Sequence, residues 1–377
     1  MRSNYQVWTS QLGWRMADTS ADITPNLIVA FGAGEALSST SALHELRDAN
    51  PDAFIVSVSS AGEIADDQVL DNSIVALRMQ FERTGICAAL VAFEYDETSD
   101  ETARRLAQQI DKTDLAHVLV FSDGLNANGS ALVTGLVQHL PANVSVTGGL
   151  AADGDRFERT CVGLGATVAP RQVVAIALYG KALRVGFGSV GGWQAFGPVR
   201  LITKSHNNVL FELDGEPALA LYKRYLGDAA NELPASALLF PLALIRDDGN
   251  EPLVRTILAV NESDNSMTFA GDVPDGARVQ LMRASFDSLV DGAEQAALAA
   301  RDQLGVDAVA VMLVSCVGRK LVLKQRVEDE LVGVRRILGS KPVIAGFYSY
   351  GEITPLKRDG PCKLHNQTMT ITAFAEC

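Results

Sequence analysis

Two acidic residues occupy matching positions in short motifs that follow apolar segments. The motifs are Ser60-Ala61-Gly62-Glu63-Ile64 and Ser349-Tyr350-Gly351-Glu352-Ile353. Paired carboxylates at strand ends can act as a general acid and a general base. Alternatively, a Gly-Glu pair closes a turn, and its carboxylate accepts hydrogen bonds from backbone N–H groups. Because the motif recurs, a structural role or a shared ligand role is favoured over an asymmetric catalytic pair.

Histidine and cysteine offer a second kind of chemistry, metal binding. Cys362 and His365 have half the spacing of a zinc site, but no second pair of ligands follows at a suitable spacing. His365 and His206 each share the face of a predicted strand with apolar residues. Such a histidine is usually a hydrogen-bonded core residue, and the alternative is a ligand to haem iron.

Nucleotide and hydrolase motifs are incomplete. Residues 186–191 match the glycine spacing of a dinucleotide-binding loop, yet Pro198 and the glycines before it leave no place for the helix that the loop requires. Neither Ser60 nor Ser349 lies in a nucleophile elbow, since Val58 and Phe347 replace the first glycine. We therefore predict a protein that is not an enzyme.

Apolar, β-rich segments alternate with helical ones, as in α/β units. Strands are predicted at 27–31, 53–59, 117–121, 144–147, 308–314 and 343–347, and helices at 41–47, 100–110, 130–140, 217–226, 286–303 and 327–338. Short strands with glycine-rich turns at 173–201, and paired strands at 238–269, indicate antiparallel structure. The prediction is a mixed α/β fold of two related halves from an internal duplication, joined by an antiparallel β region, with the two Gly-Glu-Ile turns close together.

The overall charge argues against nucleic acid and membrane surfaces as partners. The net charge is −13, from 32 Lys and Arg against 45 Asp and Glu, and there is no basic run. The apolar runs fall well short of the roughly 20 residues that span a bilayer, and no signal-peptide pattern begins the sequence. Five scattered cysteines fit reduced thiols. We predict a cytoplasmic protein.

The motif set resembles the FIST family of sensory domains. The matching segments are 59–64 (Ser-Ser-Ala-Gly-Glu-Ile), 122–124 (Ser-Asp-Gly), 147–153 (Thr-Gly-Gly-Leu-Ala-Ala-Asp), 212–218 (Glu-Leu-Asp-Gly-Glu-Pro-Ala), 315–319 (Ser-Cys-Val-Gly-Arg), 346–353 (Gly-Phe-Tyr-Ser-Tyr-Gly-Glu-Ile) and 364–368 (Leu-His-Asn-Gln-Thr). The resemblance implies a FIST N-type domain over 26–212 and a FIST C-type domain over 213–377. Together they would form a sensor of small ligands, such as amino acids, that signals through a separate partner.

One subset of the family adds a specific alternative. Stand-alone bacterial FIST proteins that bind haem sense nitric oxide and signal through a histidine kinase, and this chain is similar to them. If haem b is bound, His365 is our first choice for the proximal ligand and His206 the second. The other alternative is a small-molecule binding module without a metal.

We expect the ligand to lie in a cleft between the two halves. Loops at strand ends carry ligands in α/β sheets, and the motifs supply convergent polar and aromatic groups there. The residues expected to line the cleft are Ser60, Glu63, Gly148, Asp153, Arg319, Tyr348, Tyr350 and Glu352. Arg319 is expected to bind an anionic group, because a guanidinium grips a carboxylate through two bonds.

Overall fold

The computed structural model of the chain describes residues 1–17, 22–39, 41–233, 235–245, 252–356 and 360–377. Its helices are α1 (Gly34–Ser39), α2 (Ala42–Ala49), α3 (Ser99–Gln108), α4 (Gly129–Gln138), α5 (Ala218–Leu226), α6 (Phe286–Leu304), α7 (Val317–Leu323) and α8 (Val327–Leu338), with 3-10 segments at Gly227–Glu232, Ala235–Leu239 and Lys324–Arg326. Its strands are β1 (Arg2–Thr9), β2 (Gly13–Met16), β3 (Leu27–Gly32), β4 (Phe54–Ser59), β5 (Glu63–Ala65), β6 (Gln68–Leu70), β7 (Ile74–Gln80), β8 (Gly85–Ala92), β9 (Leu115–Ser122), β10 (Ser145–Leu150), β11 (Val162–Leu164), β12 (Gln172–Tyr179), β13 (Leu183–Val190), β14 (Gln194–His206), β15 (Val209–Leu213), β16 (Glu216–Pro217), β17 (Leu242–Ile245), β18 (Leu253–Arg255), β19 (Ile257–Asn261), β20 (Ser266–Phe269), β21 (Arg278–Arg283), β22 (Ala310–Cys316), β23 (Val343–Ser349), β24 (Gly351–Pro355), β25 (Cys362–His365) and β26 (Met369–Glu376).

Local sequence explains where the main helices begin and end. Thr98 and Glu101 form a capping box at the start of α3, and the Ser285 side chain accepts the N–H of Ser288 at the start of α6. Gly305 ends α6 in the left-handed conformation that a side chain would disfavour. The central strands are mostly apolar and buried: every residue of β22 is buried, as expected when helices or another sheet cover both faces.

The described residues contain three six-stranded sheets whose core strands have the same order and connectivity. Each sheet contains one parallel pair of strands, namely β3 and β4, β9 and β10, or β22 and β23, and this pair is central in the second and third sheets and one place off the centre in the first. An antiparallel strand flanks the first member of each pair (β7, β12 or β26), and an outer strand follows it (β1, β8 or β13). The mixed α/β class and the relation between the two motif-bearing parts are confirmed, and a third related unit lies between them in the chain.

Each unit also completes the sheet of another unit. After β4 the chain forms β5, which pairs with β23, and after β23 it forms β24, which pairs with β10. After β10 it forms β11, which pairs with β4. The three units therefore exchange strands in a closed cycle, and each sheet ends in a segment from a different unit.

Three backbone hydrogen bonds close this cycle at the centre of the molecule. The Ala61 N–H donates to the Tyr348 carbonyl (2.9 Å), the Tyr350 N–H to the Leu150 carbonyl (3.2 Å), and the Ala152 N–H to the Ser59 carbonyl (2.8 Å). We call these six residues the central ring. The Gly62 carbonyl also accepts the Tyr348 N–H (2.9 Å), so the prediction that the two Gly-Glu-Ile turns lie close together is confirmed.

An antiparallel sheet, built from β14 to β21, is inserted in the chain between β13 and α6. Its strand order is β18-β17-β21-β14-β15-β20-β19, with β16 beside β15, and α5 packs on it through Leu219 and Tyr222. This inserted sheet confirms the predicted antiparallel region. Residues 246–251, within the segment predicted as paired strands, lie outside the described residues. The six-stranded sheets cross the expected division at residue 212, because β13 pairs with β26.

Candidate functional site

The Gly-Glu turn of the first unit is held together by the Glu63 carboxylate. One carboxylate oxygen accepts the Ser60 hydroxyl, and the other accepts the Ser73 hydroxyl (2.7 Å) and the Ser73 N–H (3.1 Å). Glu63 is almost fully buried, and this burial raises its pKa to about 7 against the opposing effect of the serine hydrogen bonds.

The turn of the third unit repeats this arrangement around Glu352. The Ser349 hydroxyl donates to one oxygen (2.7 Å), and the Thr368 hydroxyl (2.9 Å) and N–H (3.1 Å) donate to the other. Burial raises the pKa of Glu352 to about 8, again opposed by these donors. Both carboxylates have protein donors on both oxygens, which is the geometry of the turn-closing interpretation.

Arg319 and Tyr348 belong to a different buried cluster, centred on Glu330. Arg319 makes two bonds to the Glu330 carboxylate (2.8 and 3.0 Å) and donates to the carbonyls of Gly191 and Leu289 (2.6 and 2.7 Å). The Tyr348 hydroxyl donates to the other Glu330 oxygen (2.8 Å). Because Arg319 is fully buried against its own carboxylate, an anionic ligand would have to displace Glu330 to reach it.

Gly148 lies on β10 and Asp153 follows that strand. The contacts of both residues hold the backbone in place. Gly148 has a φ of 146°, and a Cβ there would lie 1.8 Å from the Val120 carbonyl oxygen, so the close strand pairing requires glycine. The Asp153 carboxylate accepts the N–H groups of residues 157, 158 and 159 and also accepts the Tyr350 hydroxyl. Asp153 therefore orders a loop and fixes the position of Tyr350.

A cavity of about 300 Å³ lies at the carboxyl ends of β9 and β10. We call it the ligand cavity. Its lining consists of Gly124, Leu125, Asn126, Ala127, Asn128, Leu150, Phe157, Asn208, Leu258, Phe269, Ala270, Gly271 and Tyr350. The Tyr350 ring stacks on Phe157 with centroids 4.5 Å apart and an interplanar angle of 11°. Of the residues expected in the cleft, only Tyr350 lines this cavity. Asp153 does not line it but accepts the hydrogen bond of the Tyr350 hydroxyl.

The polar groups of the cavity wall were missed in the sequence. The Asp123 carboxylate shapes the loop after β9, because it accepts the N–H groups of Leu125 (2.8 Å) and Asn126 (3.0 Å) and the Asn126 side-chain amide (3.0 Å). Asn208 faces the same space from a turn of the inserted sheet. The segment Ser122-Asp123-Gly124 was a signal for this loop, since it marks the end of a strand.

A larger cavity of about 650 Å³ lies near the other end of β10. Val144, Val146, Phe187 and Cys362 are among its lining residues. Its wall includes Pro355 and Gly360, which flank residues outside the described part of the chain. The smaller cavity is the better candidate, because ligands in α/β sheets bind beyond the carboxyl ends of strands and this one combines aromatic rings with convergent amides.

The two histidines predicted as haem ligands have different surroundings. The Nε2 of His365 lies 3.0 Å from the Thr354 carbonyl oxygen, which only accepts, so Nε2 carries a hydrogen and the lone pair of the neutral ring is on Nδ1. His206 is exposed at the end of β14. Within the described ranges, no cluster of three or more His, Cys, Asp or Glu side chains is placed to hold a metal ion.

The family comparison agrees with this architecture. Residues 26–216 match the FIST N domain, and residues 218–355 match the FIST C domain. The chain belongs to the FIST family. FIST domains are signalling sensor domains that bind small ligands. In this FIST chain the ligand cavity takes walls from both matched segments, with Asn126 and Asn208 from the first and Phe269 and Tyr350 from the second.

Comparison with solved structures finds similar chains only at low sequence identity and low TM-score. A cyanuric acid hydrolase from A. caulinodans is 9% identical, with a TM-score of 0.35, and the match covers 94% of this chain and 90% of that one. A second structure, titled "Cyanuric acid hydrolase: evolutionary innovation by structural concatenation", is 8% identical over 100% of both chains, with a TM-score of 0.34. Among curated proteins, none matches significantly. Within the described residues, no helix is both long and apolar enough to cross a bilayer.

Proposed function

We propose that this FIST protein is a non-catalytic sensor that binds a small organic molecule in the ligand cavity and signals through a separate protein. One observation carries the proposal: the cavity lies where the strand ends of the central ring meet the inserted sheet. Leu150 and Tyr350 come from the ring, and Asn208, Phe269 and Gly271 come from the inserted sheet or its turns. A ligand there contacts both parts of the molecule at once.

This position gives a physical route from binding to signalling. A ligand that contacts both walls stabilises the arrangement in which the walls are close, and shifts the population toward it. The stacked rings of Tyr350 and Phe157 supply a flat apolar wall, and the amides of Asn126 and Asn208 supply donors and acceptors that fix orientation. The partner would then recognise the surface of the ligand-stabilised arrangement.

The metal-free module is the form of the proposal that we take first, because the ligand cavity has neither predicted haem ligand in its lining. The haem-based alternative, with nitric oxide as signal and a histidine kinase as partner, is tested directly by a visible absorption spectrum of protein expressed with haem supplied. A Soret band that disappears in His365→Ala or His206→Ala would replace the metal-free proposal with the haem-based one.

A ligand screen by thermal shift tests the cavity itself. Ligands that bind native protein raise its Tm, and we expect Tyr350→Ala to lose this rise because it removes the stacked wall. Tyr95→Ala is the matched control, since that tyrosine is 89% exposed and outside the cavity lining. An equal rise in wild type, Tyr95→Ala and Tyr350→Ala would contradict the assignment of the cavity.

A further inference from the structure

The wall of the ligand cavity carries no charge. Among the described residues that line it, none is Asp, Glu, Lys, Arg or His, and Tyr350 is the only one whose side chain can ionise. Burial raises the pKa of the Tyr350 hydroxyl, which donates to Asp153 and therefore stays neutral at physiological pH. A charged ligand would lose hydration on entry without meeting an opposite charge in the wall. The wall therefore favours a neutral ligand.

Two asparagines of the wall have amide orientations that chemistry fixes. The Nδ2 of Asn126 lies 3.0 Å from the Asp123 carboxylate, and the Nδ2 of Asn208 lies 2.8 Å from the Phe269 carbonyl oxygen. Both partners only accept hydrogen bonds, so the amide atom facing each of them must be the nitrogen. In the described part of the chain, no donor bonds to the amide oxygen of Asn126 or Asn208. Each therefore offers the cavity a hydrogen-bond acceptor.

The third asparagine of the wall, Asn128, has a different role. Its amide nitrogen donates to the Asp272 carboxylate (3.0 Å), and its amide oxygen accepts the Ala131 N–H (3.1 Å) at the start of α4. Both ends of this amide are thus bonded to the protein. The acceptors left for a ligand are the oxygens of Asn126 and Asn208.

The aromatic part of the wall is flat and held in place. Tyr350 and Phe157 stack nearly parallel, and the Tyr350 hydroxyl donates to Asp153 and to the Gly154 carbonyl. A planar ring that packs on this fixed pair orders few further side chains. The cavity volume of about 300 Å³ is at the small end of the range for ligand sites, which suits one or two rings.

We propose that the ligand is a small, neutral, planar nitrogen heterocycle of the lactam type, whose N–H groups donate to Asn126 and Asn208 and whose ring packs on the aromatic pair. This inference rests on the proposed function of the cavity and names its ligand class. The amino acids implied by the family resemblance are zwitterions, and they would bring two charges that the wall does not match.

Calorimetric titration of the full chain with matched probes tests this ligand class. The N–H probes are uracil and 2-pyridone, and their partners without N–H groups are 1,3-dimethyluracil and 1-methyl-2-pyridone. The charged probes are benzoate and phenylalanine. We expect at least one N–H ring to bind at least tenfold more tightly than its N-methylated partner and than both charged probes. Its isomer 5,6-dimethyluracil keeps both N–H groups, so it separates the effect of the donors from that of added volume.

Two variants test the acceptors. Asn126→Ala and Asn208→Ala should each weaken binding of the N–H ring by about five- to tenfold, and should change the affinity for its N-methylated partner by less than about twofold. A general disturbance of the wall would weaken both probes equally, so the ratio of the two affinities reports the acceptor itself. Asn143→Ala is the matched control, because this exposed asparagine lines the larger cavity instead. A loss of binding there would place the probe in the wrong cavity and overturn the inference.

The remaining outcomes distinguish the ligand class from the function of the cavity. Equal affinity for N–H and N-methylated rings, tighter binding of benzoate or phenylalanine, or no binding of either N–H ring would overturn the inference. If the probe that does bind is lost in Tyr350→Ala, the ligand class is wrong and the cavity function stands. If Tyr350→Ala leaves every bound probe unaffected, both are wrong.

Discussion

The turns around Glu63 and Glu352 have the same frame but differ at one position. In both, a serine three residues earlier donates to the carboxylate, and Ser73 or Thr368 donates twice from a later segment. The residue between the serine and the glycine is Ala61 in the first turn and Tyr350 in the second. Only the second lines the ligand cavity.

Within one repeated motif, the glutamate holds the turn together and the residue before the glycine determines whether the turn contributes to the cavity. The carboxylate, which looks like the chemical group, closes the turn, whereas the variable residue reaches the cavity. In the central ring the third equivalent position is Ala152, so two of the three turns carry a methyl group and one carries a phenol. A repeated frame has thus become an asymmetric site through one side chain.

The largest expected effect comes from removing a turn carboxylate. Glu352→Ala leaves the Ser349 hydroxyl and both Thr368 donors buried without an acceptor, so we expect the free energy of unfolding to fall by about 3 to 5 kcal/mol. Chemical denaturation measures it. Glu63→Ala should cost a similar amount, because its contacts are equivalent.

The control for these variants is Glu262→Ala, whose side chain is 65% exposed and pairs with Lys223. We expect a change below about 1 kcal/mol there, as for exposed ion pairs. A loss below about 1 kcal/mol in Glu352→Ala as well would show that its turn does not depend on the carboxylate. A large difference in unfolding free energy between Glu63→Ala and Glu352→Ala would show that the two turns are not equivalent.

The pH dependence of stability should distinguish the two carboxylates. The ordinary pKa of 4.5 applies in the unfolded chain, and the folded values are about 7 for Glu63 and about 8 for Glu352. The native state therefore holds protons that the unfolded state has released, and stability falls as pH rises from 4.5 through these values. Across their windows, Glu63 contributes on the order of 3 kcal/mol and Glu352 on the order of 5 kcal/mol.

Glutamine variants isolate each contribution. Glu352→Gln should flatten the fall in unfolding free energy up to about pH 8, and Glu63→Gln should flatten it only to about pH 7. Denaturation midpoints at half-unit intervals between pH 4.5 and 9 measure this. Parallel curves for wild type and both variants would show that neither carboxyl keeps its proton in the native state.

The smallest effect is expected at the residue that distinguishes the turns. Tyr350→Phe removes the hydroxyl that donates to Asp153, but Asp153 keeps its three backbone donors, so we expect a loss of about 1 kcal/mol. Tyr222→Phe, whose hydroxyl donates to the Phe240 carbonyl, is the matched control. A loss above 3 kcal/mol in Tyr350→Phe alone would show that its hydroxyl holds the frame as well as the cavity wall.

Periodicity and turn residues predicted the individual helices and strands better than the way in which the strands combine into sheets. Helix α8 was predicted with its observed bounds, and the strands around both Gly-Glu motifs were predicted to within a few residues. The third unit was missed because its turn, around Ala151 and Ala152, lacks the Gly-Glu pair, and only backbone hydrogen bonding shows the equivalence. The N-terminal hairpin of β1 and β2 was missed as well.

The site was predicted less completely, for a physical reason. Arg319 carries the features of an anion-binding residue, but its partner Glu330 is on the following helix and became visible only in the fold. Charge compensation is a property of tertiary contacts, so a sequence pattern cannot report it.

The cyclic exchange of strands has a consequence for how the chain is made. β10 emerges from the ribosome long before β24, its neighbour in the sheet, and until then its edge offers unpaired backbone groups to other chains. Pairings between such distant segments also slow folding, because long loops must close first. Ending the chain at residue 216, where the FIST N match stops, would leave that edge open permanently. The nascent chain therefore has an unpaired strand edge until its last strands have been made.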